Sequence, residues 1–312
     1  AAVESAVNTD SDIAIYEKQI KASDEIAKDT PDIASTTYRQ QNLYKMKYAQ
    51  DISYRKDATA HKATTLYNEI ALLKEQIAFS EKAIAFKEKK LQESEIKYKK
   101  GVISQAAYQK ACDDIEQAKS DKAKQETQLE ADRVAFNTLA KYDINYYTLE
   151  KNFEAEPYKY VGDVQRHFRE SMDDICRYDL EIAEVAADNI WYDTMGYGNS
   201  FQASSYYSAK ASSAATLNSI EERKKSGVSA LNTIYTNLLT TQQKVLDLQA
   251  SIKQKETELK TLQVKYEKGY ASPMQIEEAE MAIEQMKLDI ITANVSINQA
   301  KEVIRKPWVN FY

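Results

Sequence analysis

The sequence contains very little glycine and proline: six glycines and four prolines in 312 residues. Folds built on β-sheets need turn residues at each strand reversal, so this scarcity argues against all-β and α/β classes. The sequence also lacks any stretch approaching the ~18 mostly apolar residues that a membrane-spanning helix needs. These absences predict an all-α protein with no membrane-spanning segment.

A concentration of charge of one sign is also absent. Charged residues make up 29% of the chain, and the two signs are interspersed to give a net charge of −6. No basic patch is present, which argues against nucleic acid as a partner. The high charged fraction instead indicates helices with much of their surface in water.

Residue types that carry catalysis or bind metals are few. Cys112 and Cys176 are interpreted as unpaired packing residues, with an extracellular disulfide as the open alternative. His61 and His167 have no Cys or second His at metal-ligand spacing, so both are interpreted as surface or packing residues. No nucleophile motif or glycine-rich phosphate loop is present. The sequence therefore predicts no enzyme, no catalytic residue, no metal and no cofactor.

A duplicated motif is the most informative feature that is present. Two segments 168 positions apart, 97–119 (KYKKGVISQAAYQKACDDIEQAK) and 265–287 (KYEKGYASPMQIEEAEMAIEQMK), both read Lys-Tyr-x-Lys-Gly-x-x-Ser. Gly101 and Gly269 can take the left-handed conformation that ends a helix. A serine three residues later can cap the next helix. Each motif therefore predicts the tip of an antiparallel helical hairpin.

Apolar residues recur every seven positions before each tip. A spacing of seven predicts a supercoiled seam between long helices. The seam positions are Ile70, Ile77, Ile84, Leu91 and Tyr98 in the first copy, and Leu238, Val245, Ile252, Leu259 and Tyr266 in the second.

The predicted organisation is two repeated long helical hairpins, which together form one elongated four-helix rod. Repeat one (1–140) comprises a helix around 2–28, a long helix from about 33 to 99, and a return helix from about 104 to 139. Repeat two (158–306) comprises a helix around 158–190, an irregular piece at 192–202, a long helix from about 203 to 267, and a return helix from about 272 to 305. A linker (141–157) joins the repeats and a tail (307–312) follows them. Gly227, inside the second long helix, marks either a bend or a tolerated surface glycine.

The duplicated Tyr-x-x-Gly-x-x-Ser motif between long helices resembles the TolC-like outer-membrane efflux proteins, over most of the chain. The resemblance implies a homotrimer in which each chain gives four helical strands to a twelve-helix tube. It also implies that the tips contact the hairpin of a periplasmic adaptor, a membrane fusion protein. The implied contact residues are Tyr98, Lys100, Gly101, Val102 and Ser104 in tip one, and Tyr266, Lys268, Gly269, Tyr270 and Ser272 in tip two.

The sequence departs from this family in two respects. Family members insert two membrane-spanning β-strands per repeat, but 29–35 is too short for one such strand and 190–207 has room only for a small hairpin. We therefore expect a TolC-type α-barrel protomer without the β-barrel. The family's entrance constriction matches Gln275 and Glu278, but Ala271 replaces the arginine that would tie it back. We do not expect an entrance closed by that charge network.

The resemblance implies a conduit or docking component of an export or efflux assembly, in the cell envelope or secreted. The Ala-Ala-Val start is compatible with a signal peptide that has been removed, and also with a trimmed chain. A non-transporting structural or adhesive helical spacer at the cell surface is the alternative.

Overall fold

The computed structural model describes residues 1–30, 35–146, 153–194 and 203–312. In these ranges every regular element is helical, as the scarcity of turn residues predicted. The α-helices are α1 (Ala2–Asn8), α2 (Ser11–Asp29), α3 (Thr36–Lys99), α4 (Gln105–Ala140), α5 (Val164–Asp188), α6 (Ile190–Asp193), α7 (Ala203–Glu267) and α8 (Pro273–Arg305). Two short 3₁₀ helices, Ile144–Tyr146 and Pro307–Asn310, complete the set.

The long helices and both reversals agree with the prediction, but two of the shorter helices differ from it. In addition, α6 extends into the piece expected to be irregular (192–202), of which 195–202 lies outside the described residues. The single helix expected around 2–28 is divided into α1 and α2. The division occurs because the Asp10 carboxylate caps α2, accepting from the Asp12 backbone N–H at 2.9 Å. Similarly, α5 begins at Val164 rather than near residue 158, because Asp163 caps its first turn. A capping side chain fixes a helix start more locally than hydrophobic periodicity does.

The chain divides into two compact units. The first contains Ala1–Lys62, Tyr158–Asn237 and Ala300–Tyr312, and the second contains Ala63–Pro157 and Leu238–Gln299. Each unit therefore combines segments of both predicted repeats, and α3, α7 and α8 contribute residues to both. The repeat boundaries themselves stay a prediction.

The core of the first unit is built around one face of α5. Phe168, Met172, Ile175 and Cys176 recur at helical spacing on that face and are each 2% exposed or less. They pack with residues of α7 and with the end of the chain, including Leu231, Ile304 and Val309. Such a stripe is the usual buried face of an amphipathic helix. Cys176 is a free thiol inside this core, as its interpretation as a packing residue required.

Gly227 is neither a bend nor a surface glycine. It is buried within the unbroken helix α7, where α5 lies against it. A Cβ built at this position would lie 2.5 Å from the sulfur of Met172. The glycine is therefore a packing residue that permits the close approach of two helices, and this correction required tertiary information.

The last residues of the chain are held against α3 by polar and aromatic contacts. The Trp308 ring stacks on Tyr54 with ring centroids 5.0 Å apart, and its indole N–H donates to Asp57 at 2.9 Å. Lys306 donates to the same Asp57 carboxylate at 2.9 Å. The Tyr312 hydroxyl donates to Asp51 at 2.7 Å, and burial together with that carboxylate raises the pKa of the tyrosine. The predicted tail is thus part of the first unit.

In the second unit, burial along the predicted seams decreases toward the tips. Ile70 and Leu238, at the start of each seam, are fully buried. Tyr98 and Tyr266, at the end of each seam, are exposed. The buried seam that the heptad pattern predicts is confirmed at the end of each hairpin away from the tip. Near the tip, the seam side chains are exposed to solvent.

Candidate functional site at the two hairpin tips

Tip one is a glycine-terminated helix end with its backbone groups satisfied. Gly101 has φ +71°, in the left-handed region. Its N–H donates to the carbonyl of Tyr98 at 2.9 Å, and the N–H of Val102 donates to the carbonyl of Lys97 at 2.8 Å. This pair of bonds is the Schellman motif, which satisfies carbonyls at the end of α3.

Tip two repeats this geometry closely. Gly269 has φ +78°, and its N–H donates to the carbonyl of Tyr266 at 2.8 Å. The N–H of Tyr270 donates to the carbonyl of Lys265, also at 2.8 Å. The left-handed glycines predicted from the sequence are therefore confirmed at both tips.

The serine caps are confirmed as well, but the two tips differ in how complete the cap is. Ser104 accepts from the backbone N–H of Ala107 at 3.2 Å, and Ser272 accepts from that of Gln275 at 3.3 Å. Only in tip two does a side chain return the bond: the Gln275 amide oxygen accepts from the Ser272 N–H at 2.8 Å. Tip two is thus a reciprocal capping box, with Pro273 at the first helical position.

The residue after each glycine is apolar and points into solvent. Val102 is 70% exposed and Tyr270 is 81% exposed. Apart from the glycine and its chain neighbours, no heavy atom lies within 4 Å of a Cβ built at Gly101 or Gly269, so the space around both tips is open. Each tip therefore exposes one apolar side chain at the same position.

The tyrosines that precede the glycines have different surroundings in the two tips. Tyr98 stacks on Tyr108 in the first turns of α4, with ring centroids 5.3 Å apart and an interplanar angle of 9°. The hydrogen bond between the Tyr108 hydroxyl and Cys112 raises the pKa of Tyr108. In tip two the position equivalent to Tyr108 is Ile276, so Tyr266 has no such aromatic partner there. Only tip one is braced by stacked rings.

The two tips lie at the same end of the second unit. Lys89 on α3 pairs with Glu277 on α8 at 2.5 Å. Lys89 lies ten residues before Lys99, the last residue of α3, and Glu277 lies four residues after Pro273, the first residue of α8. Lys82 pairs with Glu284, so the partners move along α8 in the opposite direction to α3. The two helices are therefore antiparallel, and both tips lie toward the same end.

The residues matched to an entrance constriction are already engaged within the chain. Gln275 forms the capping box described above. Glu278 pairs with Lys90 at 2.6 Å, next to the Lys89–Glu277 pair. No sequence pattern predicts these lysines, because pairing between residues 188 positions apart leaves no local signal. All four side chains are well exposed, so each pair contributes little to stability. A constricting role for Gln275 and Glu278 stays a prediction.

The candidate chemical residues elsewhere serve packing roles in the first unit. His167 lies 2.9 Å from the Ile304 carbonyl oxygen through Nε2, and its ring stacks on Tyr160. Burial lowers the pKa of His61, and the nearby Glu302 carboxylate partly offsets this effect.

Among the described residues, no group of three or more His, Cys, Asp or Glu side chains could hold a metal ion. In the same part of the chain, no helix is long and apolar enough to cross a membrane.

Neither a family model nor a curated protein matches the sequence. Solved structures do match the fold. A membrane protein from Pseudomonas aeruginosa superposes with a TM-score of 0.67 at 10% identity, covering 98% of this chain and 92% of its own. The CmeC outer membrane channel of Campylobacter jejuni gives 0.63 at 11% identity, covering 100% and 85%. The open state of the MtrE outer membrane channel of Neisseria gonorrhoeae gives 0.59 at 12% identity, covering 99% and 88%.

The chain has the TolC-type fold. The superposed regions include nearly all of this chain, so the likeness extends beyond one helical hairpin. The predicted fold class, an all-α protein matching the helical part of TolC-like channels, is confirmed for the described residues. The segments 29–35 and 190–207, which are too short for a pair of spanning strands, include 31–34 and 195–202, and these residues lie outside the described ranges.

Proposed function

We propose that this protein is a conduit or docking component of an export or efflux assembly in the cell envelope, and that its hairpin tips bind an adaptor protein. One observation carries the proposal: the two tips have the same backbone geometry and expose an apolar side chain at the same position, Val102 and Tyr270. They do so on a fold shared with outer membrane channels.

The decrease in burial toward the tips supports a docking role for this end of the molecule. A free-standing hairpin would gain stability from apolar residues that it covers itself. Here the side chains nearest the tips, including Ile96 and Val264, are each about half exposed. Such exposure is consistent with a surface that is completed by another protein.

Self-association as a homotrimer is part of the same proposal. Two leucines seven residues apart on α7, Leu239 and Leu246, are 41% and 56% exposed. They lie on one face of the helix, since seven residues make almost two full turns. Neighbouring copies of the chain would cover this face in a closed ring of helices.

A binding experiment tests the role of the tips. In one variant Gly101 and Gly269 are both replaced by tryptophan, and in a matched control both are replaced by asparagine. Asparagine tolerates the left-handed conformation and adds little bulk, whereas tryptophan projects a large ring into the open space around each tip. The readout is pull-down of the adaptor protein encoded nearest to the gene for this chain, with helicity checked by circular dichroism.

We expect the asparagine variant to keep most of the adaptor binding and the tryptophan variant to lose at least nine-tenths of it. Equal binding by the tryptophan variant and the wild type would contradict the assignment of the tips. If the wild-type chain binds no adaptor and sediments as a monomer, the spacer function replaces the proposal.

A further inference from the structure

The outermost residues of the two tips carry charge of only one sign. Within 100–108 (KGVISQAAY) and 268–276 (KGYASPMQI), the single charged side chain in each segment is the lysine that begins it. Lys100 and Lys268 are exposed and occupy the same place in the two Schellman motifs. We define the tip surface as Lys100, Val102, Lys268 and Tyr270.

The lysines that precede tip one are paired, whereas the two tip lysines are not. Lys97 pairs with Glu93 at 3.4 Å and Lys99 with Glu95 at 2.6 Å, each within a turn of α3. Within the described ranges, neither Lys100 nor Lys268 forms an ion pair. In tip two, Lys265 and Glu267 are also exposed and form no ion pair within the described ranges, and their charges are opposite in sign. Each hairpin end therefore presents one net unpaired positive charge.

A partner that docks on the tip surface would contact Val102 and Tyr270, and the two lysine ammonium groups would lie at the edge of that apolar contact. Lys100 precedes Val102 by two residues, and Lys268 precedes Tyr270 by two residues. A partner that covers Val102 and Tyr270 removes water from the ammonium groups beside them. Removing a charge from water without giving it a partner is strongly unfavourable. A protein that binds here must then supply an opposite charge next to its apolar contacts.

We propose that the tip surface binds a protein surface that presents two carboxylates beside apolar side chains, one carboxylate for each tip lysine. This inference rests on the proposed docking function and adds the chemistry of the partner. An acidic protein surface is favoured over an anionic membrane, because electrostatic membrane binding generally needs a cluster of four to eight basic residues. One copy of the tip surface has two, and in the proposed trimer the six lysines would be divided among three copies around a ring.

Synthetic helical hairpins provide a defined probe. Three hairpins share one sequence, with leucines at the tip, and differ at two adjacent tip positions that carry glutamate, glutamine or lysine. Their binding to the full chain is measured by fluorescence anisotropy at 50 and 300 mM NaCl. The variants of the chain are Lys100→Glu with Lys268→Glu, and a matched control, Lys253→Glu with Lys260→Glu, at exposed positions of α7 away from the tip.

We expect the wild-type chain to bind the glutamate hairpin at least tenfold more tightly than the glutamine hairpin, and less tightly at the higher salt concentration. The tip double variant should reverse the order and prefer the lysine hairpin. The control double variant should keep the wild-type order.

The outcomes separate this inference from the docking proposal. If all three hairpins bind equally, but Val102→Ser with Tyr270→Ser abolishes binding, the tips dock without charge selection and the inference is wrong. If tip and control reversals have equal effects, only net charge matters and the inference is again wrong. Binding to vesicles containing one-fifth phosphatidylglycerol, without binding to the glutamate hairpin, would assign the tip surface to lipid instead. If no hairpin binds, the inference fails, and the adaptor pull-down decides the docking proposal separately.

Discussion

At the scale of single residues, glycine has two opposite uses in this protein. At the tips, Gly101 and Gly269 adopt positive φ and are surrounded by open space. Inside α7, Gly227 has helical geometry and is needed because Met172 leaves no room for a side chain. The first use was predictable from the Gly-x-x-Ser spacing. The second was not, because the residue that enforces it belongs to another helix.

Replacing Gly227 by alanine tests this packing role. Alanine should favour the helix by about 1 kcal/mol, whereas overpacking against Met172 should cost about 1–3 kcal/mol. We expect a net loss of about 1 kcal/mol in the free energy of unfolding, measured by urea denaturation with circular dichroism. Ser229→Ala, at an exposed site two residues away, should change stability by less than about 0.5 kcal/mol.

A double-mutant cycle identifies the clash as the cause. Met172→Ala alone should destabilise by about 2–5 kcal/mol through the cavity that it leaves. In the Gly227→Ala background the same substitution should cost less, because part of the space is already filled. Additive effects of the two substitutions would show that Gly227 does not act through Met172.

His61 makes stability depend on pH in a defined direction. Burial lowers its pKa in the folded chain below the ordinary value of 6.5. The unfolded chain then binds the proton more tightly, so this residue lowers stability as the pH falls below about 6.5. We expect the melting temperature of the wild type, relative to His61→Gln, to fall between pH 7.5 and pH 5. A constant difference over that range would contradict a lowered pKa.

At the scale of elements, the two tips reverse the chain with the same backbone geometry, but different side-chain contacts stabilise each of them. The stacked rings of Tyr98 and Tyr108 brace tip one. The reciprocal bonds between Ser272 and Gln275 reinforce tip two. Tip one has Ala107 where tip two has Gln275, so a capping box cannot form there. The duplication has kept the backbone geometry while the side-chain contacts have diverged.

The cap of α8 can be tested with a pair of substitutions. Ser272→Ala should raise the amide exchange rates of the first turn of α8 by an amount that corresponds to about 1 kcal/mol, because an N–H loses its acceptor. Ser272→Gly should produce an effect of only a few tenths of a kcal/mol, since glycine suits the capping position. Hydrogen exchange followed by mass spectrometry measures both. If the two variants exchange alike, the serine hydroxyl is not an effective cap.

At the scale of the whole molecule, the chain covers its own apolar surface unevenly. The first unit has a continuous core that includes α5 and the end of the chain. In the second unit, ion pairs connect α3 with α4 and with α8, while leucines on α7 remain exposed. Two compact units with such different interiors need not unfold together, so each should be followed with its own probe.

Replacing Leu239 and Leu246 by serine tests whether the exposed face of α7 is covered by further copies of the chain. We expect the wild-type protein to sediment as the proposed trimer and the double variant to sediment as a monomer. Helicity should be retained, because both leucines are already partly in water. The matched control, Lys244→Ser with Gln249→Ser, lowers helix propensity on the same helix and should leave the trimer intact. A trimer that survives loss of both leucines would show that this face is not the interface.

By itself, the sequence determined the helical class, the two reversals and their caps, because glycine, proline and serine act on the backbone within a few residues. The heptad spacing likewise predicted the long helices and the more buried start of each seam. The break between α1 and α2 also has a local cause, the Asp10 cap, which hydrophobic periodicity does not reveal. Tertiary structure decided the rest: the packing role of Gly227, the docking of Trp308 on Tyr54, and the pairing of Lys89 with Glu277. Each of these three joins residues that lie far apart along the chain. Such contacts depend on which faces of two helices pack together, and the spacing of residues within one helix does not predict that packing.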